Sequence, residues 1–133
     1  MTPEQLLTLA DEARTQAYAP YSGCRVGAAL VCADGTVYTG CNIENAAFGP
    51  TVCAERTAFF KAISEGKRDF SAIAVVGGDD SGPFPPCGVC RQVMAEFCRG
   101  DFRIHLRGKS LCLDQLLPHR FGAEDFSCNL SEL

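Results

Sequence analysis

The chain has 133 residues, 47% hydrophobic and 21% charged, the size and make-up of one folded domain over residues 1–133, which excludes a disordered or low-complexity protein. The net charge of −4 argues against a polynucleotide as main partner, because a duplex-binding surface needs a basic face. No apolar run reaches the length of a membrane span, and MTPEQLLTLADEA is acidic where a secretory leader is basic and then apolar, so the expected location is the cytoplasm.

Thr2-Pro3-Glu4-Gln5 predicts a helix start, with Thr2 as cap, Pro3 in the first turn and Gln5 closing a capping box. Leu6, Leu9, Ala10, Ala13 and Ala17 recur at helical spacing and carry that helix to Tyr18, where Ala19-Pro20-Tyr21-Ser22-Gly23 breaks it. Val26–Val31, the turn pair Asp34-Gly35 and Thr36–Ile43 predict a β-hairpin. A second helix is expected from Val52 to Glu65, ended by Gly66. The continuous apolar run Ser71–Val76 marks a buried strand. The Gly77–Pro86 loop leads to a third helix, Cys87 to Cys98, then to strand Phe102–Arg107. A turn at Gly108-Lys109, a short strand at Leu111–Leu113 and a short helix before Pro118 complete the order. A hairpin followed by βαβ crossovers predicts an α/β domain with a mixed sheet and helices packed against it.

Nine cysteines is a high and odd number, unlike a secreted disulfide scaffold. Two segments concentrate the chemistry, each at a predicted helix start: Thr51-Val52-Cys53-Ala54-Glu55-Arg56 and Pro85-Pro86-Cys87-Gly88-Val89-Cys90-Arg91-Gln92. Cys87 and Cys90 are three apart, so their sulfurs share one side of a first turn and one tetrahedral ion, with Cys53 as third ligand. Three protein ligands leave a fourth position open, as in catalytic zinc sites. Three thiolates and one Zn²⁺ keep a net negative charge that weakens a Lewis acid. Two helix N-termini and a hydrogen bond from Arg56 to a thiolate offset it. Glu55, two residues from Cys53, is placed to relay protons beside a bound water. Two blander readings stand beside this one: a thioredoxin-like redox pair at Cys87 and Cys90, and a purely structural zinc site.

Cys-Ala-Glu followed far downstream by Pro-Cys-x-x-Cys resembles the zinc-dependent nucleoside deaminases, with Cys in place of the His of the related pattern. Tyr18-Ala19-Pro20-Tyr21-Ser22, Val26-Gly27-Ala28-Ala29-Leu30, Gly40-Cys41-Asn42-Ile43-Glu44-Asn45-Ala46, Leu116-Leu117-Pro118 and Phe121-Gly122 extend the likeness to the homotetrameric cytidine deaminases over nearly the whole chain. The resemblance implies a three-layer fold, a mixed five-stranded sheet with helices on both faces. It implies hydrolysis of cytidine and deoxycytidine to uridine and deoxyuridine, with one Zn²⁺ per subunit held by Cys53, Cys87 and Cys90. Zinc-bound hydroxide would attack C4, while Glu55 takes the water proton, passes it to N3 and helps the amine leave. It implies that Asn42 and Glu44 bind the ribose 3′-hydroxyl, that Ala54 backbone atoms hold the base, and that Phe121 reaches a neighbouring subunit's site in a homotetramer. Two departures stand out. Cys24 replaces a Phe whose ring packs on base and sugar, an apolar contact worth roughly 1–2 kcal/mol, with Phe121 compensating in part. Phe48 stands where relatives often carry Tyr.

The remaining chemistry-bearing residues read as structural. His105 lies in a strand pattern and His119 follows Pro118; both are packing or surface residues. Cys32, Cys41, Cys98, Cys112 and Cys128, like Cys24, lack ligand spacing and are core or surface thiols. Phe59 and Phe60 are expected in the core or against a partner subunit. A rival substrate is an aminopyrimidine antibiotic such as blasticidin S, against which Asn42-Ile43-Glu44-Asn45 favours a ribose.

Overall fold

The computed structural model describes residues 1–79 and 82–126. Helix α1 (Pro3–Arg14) opens on the expected capping box: Gln5 N–H donates to Thr2 Oγ1 at 3.1 Å, and Thr2 N–H donates to Gln5 Oε1 at 2.8 Å. It stops four residues short of Tyr18. The amides of Thr15, Gln16 and Ala17 turn back to Glu12, Ala13 and Arg14, one residue short of α-helical spacing. Tyr18 is then drawn off as a bridge partner of Ile43. Ala17 is still buried, so its apolar spacing was real and its helical backbone was not.

The hairpin comprises β1 (Val26–Cys32) and β2 (Val37–Cys41), turning at Gly35 with φ +91°. β2 is shorter than expected because Ile43 leaves the ladder and pairs with Tyr18 and Val52 instead. Helix α2 (Ala54–Ser64) starts two residues later than Val52 for the same reason, and ends before Gly66, which takes φ +93°. Strand β3 (Phe70–Gly77), helix α3 (Gly88–Phe97), strands β4 (Arg103–Leu106) and β5 (Lys109–Cys112), and a short helix α4 (Leu113–Leu116) follow. A 3₁₀ turn over Ala123–Phe126 has no counterpart in the sequence pattern.

The sheet is five-stranded and mixed, in the order β2-β1-β3-β4-β5, and parallel only between β3 and β4. Its central strands are covered on both faces, which explains their unbroken apolar sequence. Ala29, Ala72, Ala74 and Val76 point to one side and pack with Leu6 and Ala10 of α1. Ala28, Leu30, Ile73 and Val75 point to the other, where Ala58 and Phe59 of α2 and Met94 of α3 close the larger core. The three layers are therefore α1, the sheet, and α2 with α3. Phe59 is fully buried and meets Phe70 edge-on, ring centroids 5.1 Å apart at 72°.

One glycine sets where α2 begins. A Cβ built at Gly40 in β2 would lie 2.5 Å from Ala54 O and 2.6 Å from Ala58 N, so only a bare backbone lets the first turns of α2 lie against that strand. Thr57 Oγ1 fixes the same turn by donating to Cys41 O at 3.0 Å. No described helix is long and apolar enough to cross a membrane. Cys128 lies outside the described residues.

Candidate active site

Three loops meet at the starts of α2 and α3 and are stitched by backbone. Ile43 and Val52 exchange two hydrogen bonds of 3.0 Å, and Glu44 N–H donates to Tyr18 O at 2.8 Å. Cys53 is the N-cap of α2 and Cys87 the N-cap of α3, with Cys90 one turn in. The sulfurs of Cys53 and Cys87 lie 3.7 Å apart, those of Cys87 and Cys90 3.5 Å, and all three within 4.8 Å. A tetrahedral zinc with Zn–S bonds near 2.3 Å needs sulfurs about 3.8 Å apart. The donor set and its spacing therefore fit zinc. Among the described residues no fourth Cys, His, Asp or Glu joins the group.

The charges around the sulfurs run as the spacing implied. Arg56 Nη2 donates to Cys53 Sγ at 3.4 Å. The Cys53 thiol is drawn down to about 5, first by its hydrogen bond with Cys90 and then by Arg56 and Cys87. Cys90, buried and holding that shared proton, is pushed up. Cys53 and Cys90 share one proton between them, and Cys53 is the one that ionises first. Arg56 is held more firmly cationic by the same hydrogen bond.

Glu55 is 4% exposed, a rare burial for a carboxylate. Burial pushes its carboxyl up to about 7, and the charge of Cys53 adds to this. Its own backbone N–H and the Cys90 thiol pull the other way. A dication held by the sulfurs would lower it further, since a metal is the largest local charge in such a site.

A cleft of about 320 Å³ opens onto this cluster, within the range of small-molecule sites (~300–1,000 Å³). Cys53, Ala54, Glu55 and Cys87 form its floor, and Cys24, Asn42 and Glu44 its far wall. Six of the expected site residues thus come together with Cys24. Cys90 and Arg56 stand behind the floor, joined to it by the thiol and guanidinium contacts. Phe121 does not line the cleft of its own chain. It is 57% exposed, stacked edge-on with Phe126 at 5.4 Å, and its carbonyl accepts from Gln92 Nε2 at 2.9 Å.

Asn42 and Glu44 also have work of their own. Asn42 Oδ1 accepts from Val26 N–H and Nδ2 donates to Cys24 O, both at 2.8 Å, which fixes the start of β1. Glu44 accepts from Tyr21 N–H at 3.0 Å, Ser22 N–H at 3.1 Å and the Ser22 hydroxyl. The Ser22 contacts hold its carboxyl below the usual carboxylate range. Arg91 was a bare motif position in the sequence; here Nε donates to Pro86 O at 2.8 Å and Nη1 to Leu116 O at 2.7 Å, so it locks the entry to α3. Thr51, Val52 and Pro85, flanks of the two motif segments, also line the cleft, as does Phe84, which had no sequence signature. His105 faces Ser110 across β4 and β5 at 2.8 Å, far from ligand duty, and His119 is a loop residue with φ +51°.

The profile of the cytidine and deoxycytidylate deaminase zinc-binding region matches residues 1–105. A cytidine deaminase of Sporosarcina psychrophila is 52% identical over 132 residues, 96% of each chain. One from Halalkalibacterium halodurans is also 52% identical over 132 residues, covering 96% of this chain and 99% of that one. The crystal structure of cytidine deaminase from Burkholderia pseudomallei superposes with a TM-score of 0.86 at 48% identity, over 91% of this chain and all of that one. With three sulfurs at zinc spacing beside a buried glutamate in a fold of this kind, the chain belongs to the zinc-dependent cytidine and deoxycytidylate deaminase family.

Proposed function

We propose that the protein hydrolyses cytidine and deoxycytidine to uridine and deoxyuridine, with release of ammonia. The observation that carries this reading is the pairing of three sulfurs at tetrahedral spacing with the buried carboxyl of Glu55, with Cys53, Cys87 and Glu55 lining one cleft. Cys53, Cys87 and Cys90 hold one zinc per chain. Zinc supplies Lewis acidity and a nucleophile from water at neutral pH.

The residues of the chain then do the rest. Glu55 takes a proton from the attacking water, gives it to N3 of the pyrimidine and later carries the proton of the new C4 hydroxyl to the departing amine. Water adds at C4, the C4–N bond breaks, and ammonia leaves. Arg56 tempers the charge on the sulfurs, and Ala54 at the first turn of α2 presents its backbone to the base. Asn42 and Glu44 receive the sugar at the far wall; each has one further donor or acceptor position besides those used on the backbone. Cys24 is the altered pocket position.

The same reading places one deaminase domain over residues 1–133, since the described elements share one sheet. It places the protein in the cytoplasm; none of the eight described cysteines is in a disulfide. A net charge of −4 supports free nucleosides over polynucleotides. It makes the protein a homotetramer with Phe121 completing a neighbour's site, supported by exposed Phe48, Phe121, Val89 and Tyr21 beside the cleft loops. Light scattering is expected to return four times the 14.3 kDa chain mass; a monomeric mass removes the shared-site reading.

The deciding experiment pairs metal analysis with an ultraviolet assay. The wild type is expected to hold one zinc per chain and to convert cytidine to uridine, with blasticidin S left unchanged. Glu55→Gln is expected to keep its zinc and lose roughly 10²–10⁴-fold in kcat. Full turnover in that variant, or turnover without metal, overturns the mechanism.

A further inference from the structure

Resting on the deaminase reading, we propose that Phe84 is the aromatic positioning residue of this pocket, the ring against which the pyrimidine is laid. Among the described residues lining the cleft it is the only aromatic one. Cys24, which lines the cleft with it, adds only a thiol. Ser22, Cys24 and Phe84 also line a second hollow of about 580 Å³ on the other side, so the ring belongs to the partition that gives the cleft its outer wall.

The ring is held where it is by backbone. A Cβ built at Gly77 would lie 2.8 Å from Phe84 Cδ1 and 3.0 Å from Cγ, and one at Gly78 would lie 3.2 Å from Cδ2. The end of β3 thus provides a side-chain-free seat onto which the ring packs, beside Val26. Its other tether is covalent. Phe84-Pro85-Pro86-Cys87 puts two prolines between the ring and the first sulfur of α3. Pro85 confines the backbone of Phe84 to extended conformations, each proline fixes its own φ, and Arg91 clamps the Pro86 carbonyl at 2.8 Å. A half-buried aromatic ring, seated on glycines and joined by a stiff arm to a metal ligand, is pre-organised to receive a flat heteroaromatic base.

The test uses the zinc-loaded full chain and three variants. Phe84→Leu is expected to raise KM for cytidine and Kd for the product uridine, the latter by calorimetry, both roughly tenfold. Because the ring meets substrate and transition state alike, kcat is expected to change by less than about twofold. Phe84→Met keeps volume without a ring and is expected to follow Phe84→Leu, which covers the case in which the first variant folds poorly. Adding Cys24→Phe to Phe84→Leu is expected to recover most of the lost affinity by returning a ring to the same wall. An active wild type whose Phe84→Leu and Phe84→Met variants keep KM and uridine Kd, with or without a lower melting temperature, overturns the assignment and leaves the deaminase reading intact. A zinc-loaded wild type that neither turns over cytidine nor binds uridine overturns both.

Discussion

At the scale of single residues, Asn42 shows how a residue lining the cleft can also hold the fold. Its amide joins Val26 N–H to Cys24 O, and the side chain is 9% exposed. Asn42→Ala leaves a buried donor and acceptor without partners, so a loss of roughly 2–4 kcal/mol in urea unfolding is expected in addition to any rise in KM. A stability change below 0.5 kcal/mol (about the ordinary surface value) would show that water replaces the amide at no cost. Arg56 makes a complementary case. Arg56→Gln removes the cation that faces Cys53 at 3.4 Å, and lower kcat with zinc retained is the expected outcome, read by metal analysis and steady-state assay. The meeting of the three sulfurs with Glu55 was legible because Cys-x-x-Cys and Cys-x-Glu fix their own geometry at a helix start. Phe84 was not, since a loop Phe before two prolines has no periodicity and its seat at Gly77 is contributed by a strand seven residues upstream.

At the scale of elements, the sequence gives strand and helix identity well and their ends poorly. The capping box of α1, the left-handed turn at Gly35 and the stop at Gly66 were all written in residue types with one dominant backbone use. The overrun of α1 to Tyr18, of β2 to Ile43 and of α2 back to Val52 share one cause: Tyr18 and Val52 both bridge to Ile43, a contact between distant segments that apolar spacing does not encode. The closeness of α2 to β2 is equally non-local, and it can be tested at Gly40. Gly40→Ala places a methyl carbon 2.5 Å from Ala54 O, so α2 must shift at its N-terminal end. A loss of roughly 1–3 kcal/mol is expected by thermal or urea unfolding, together with lower zinc content, because the shifted turn carries Cys53. Unchanged zinc binding would mean that the turn gives way elsewhere.

At the scale of the whole molecule, the two faces of the sheet are built differently. Small residues, Ala29, Ala72 and Ala74, let α1 lie close, while the opposite face carries the bulk of the core around Phe59. Phe59→Ala, at a fully buried site with Phe70 and Phe102 about it, is expected to cost about 3–5 kcal/mol in urea unfolding. A smaller cost would mean that the cavity collapses. That larger core also aims two helix starts at one point, and neither Cys53 nor Cys87 caps its helix with a side-chain hydrogen bond. An ion held by the two sulfurs would therefore rivet together two helix ends that lack side-chain caps. Stripping it with a chelator should quicken deuterium uptake first at the Thr57 and Arg91 amides, the opening rungs bonded to Cys53 O and Cys87 O, well before the sheet loosens.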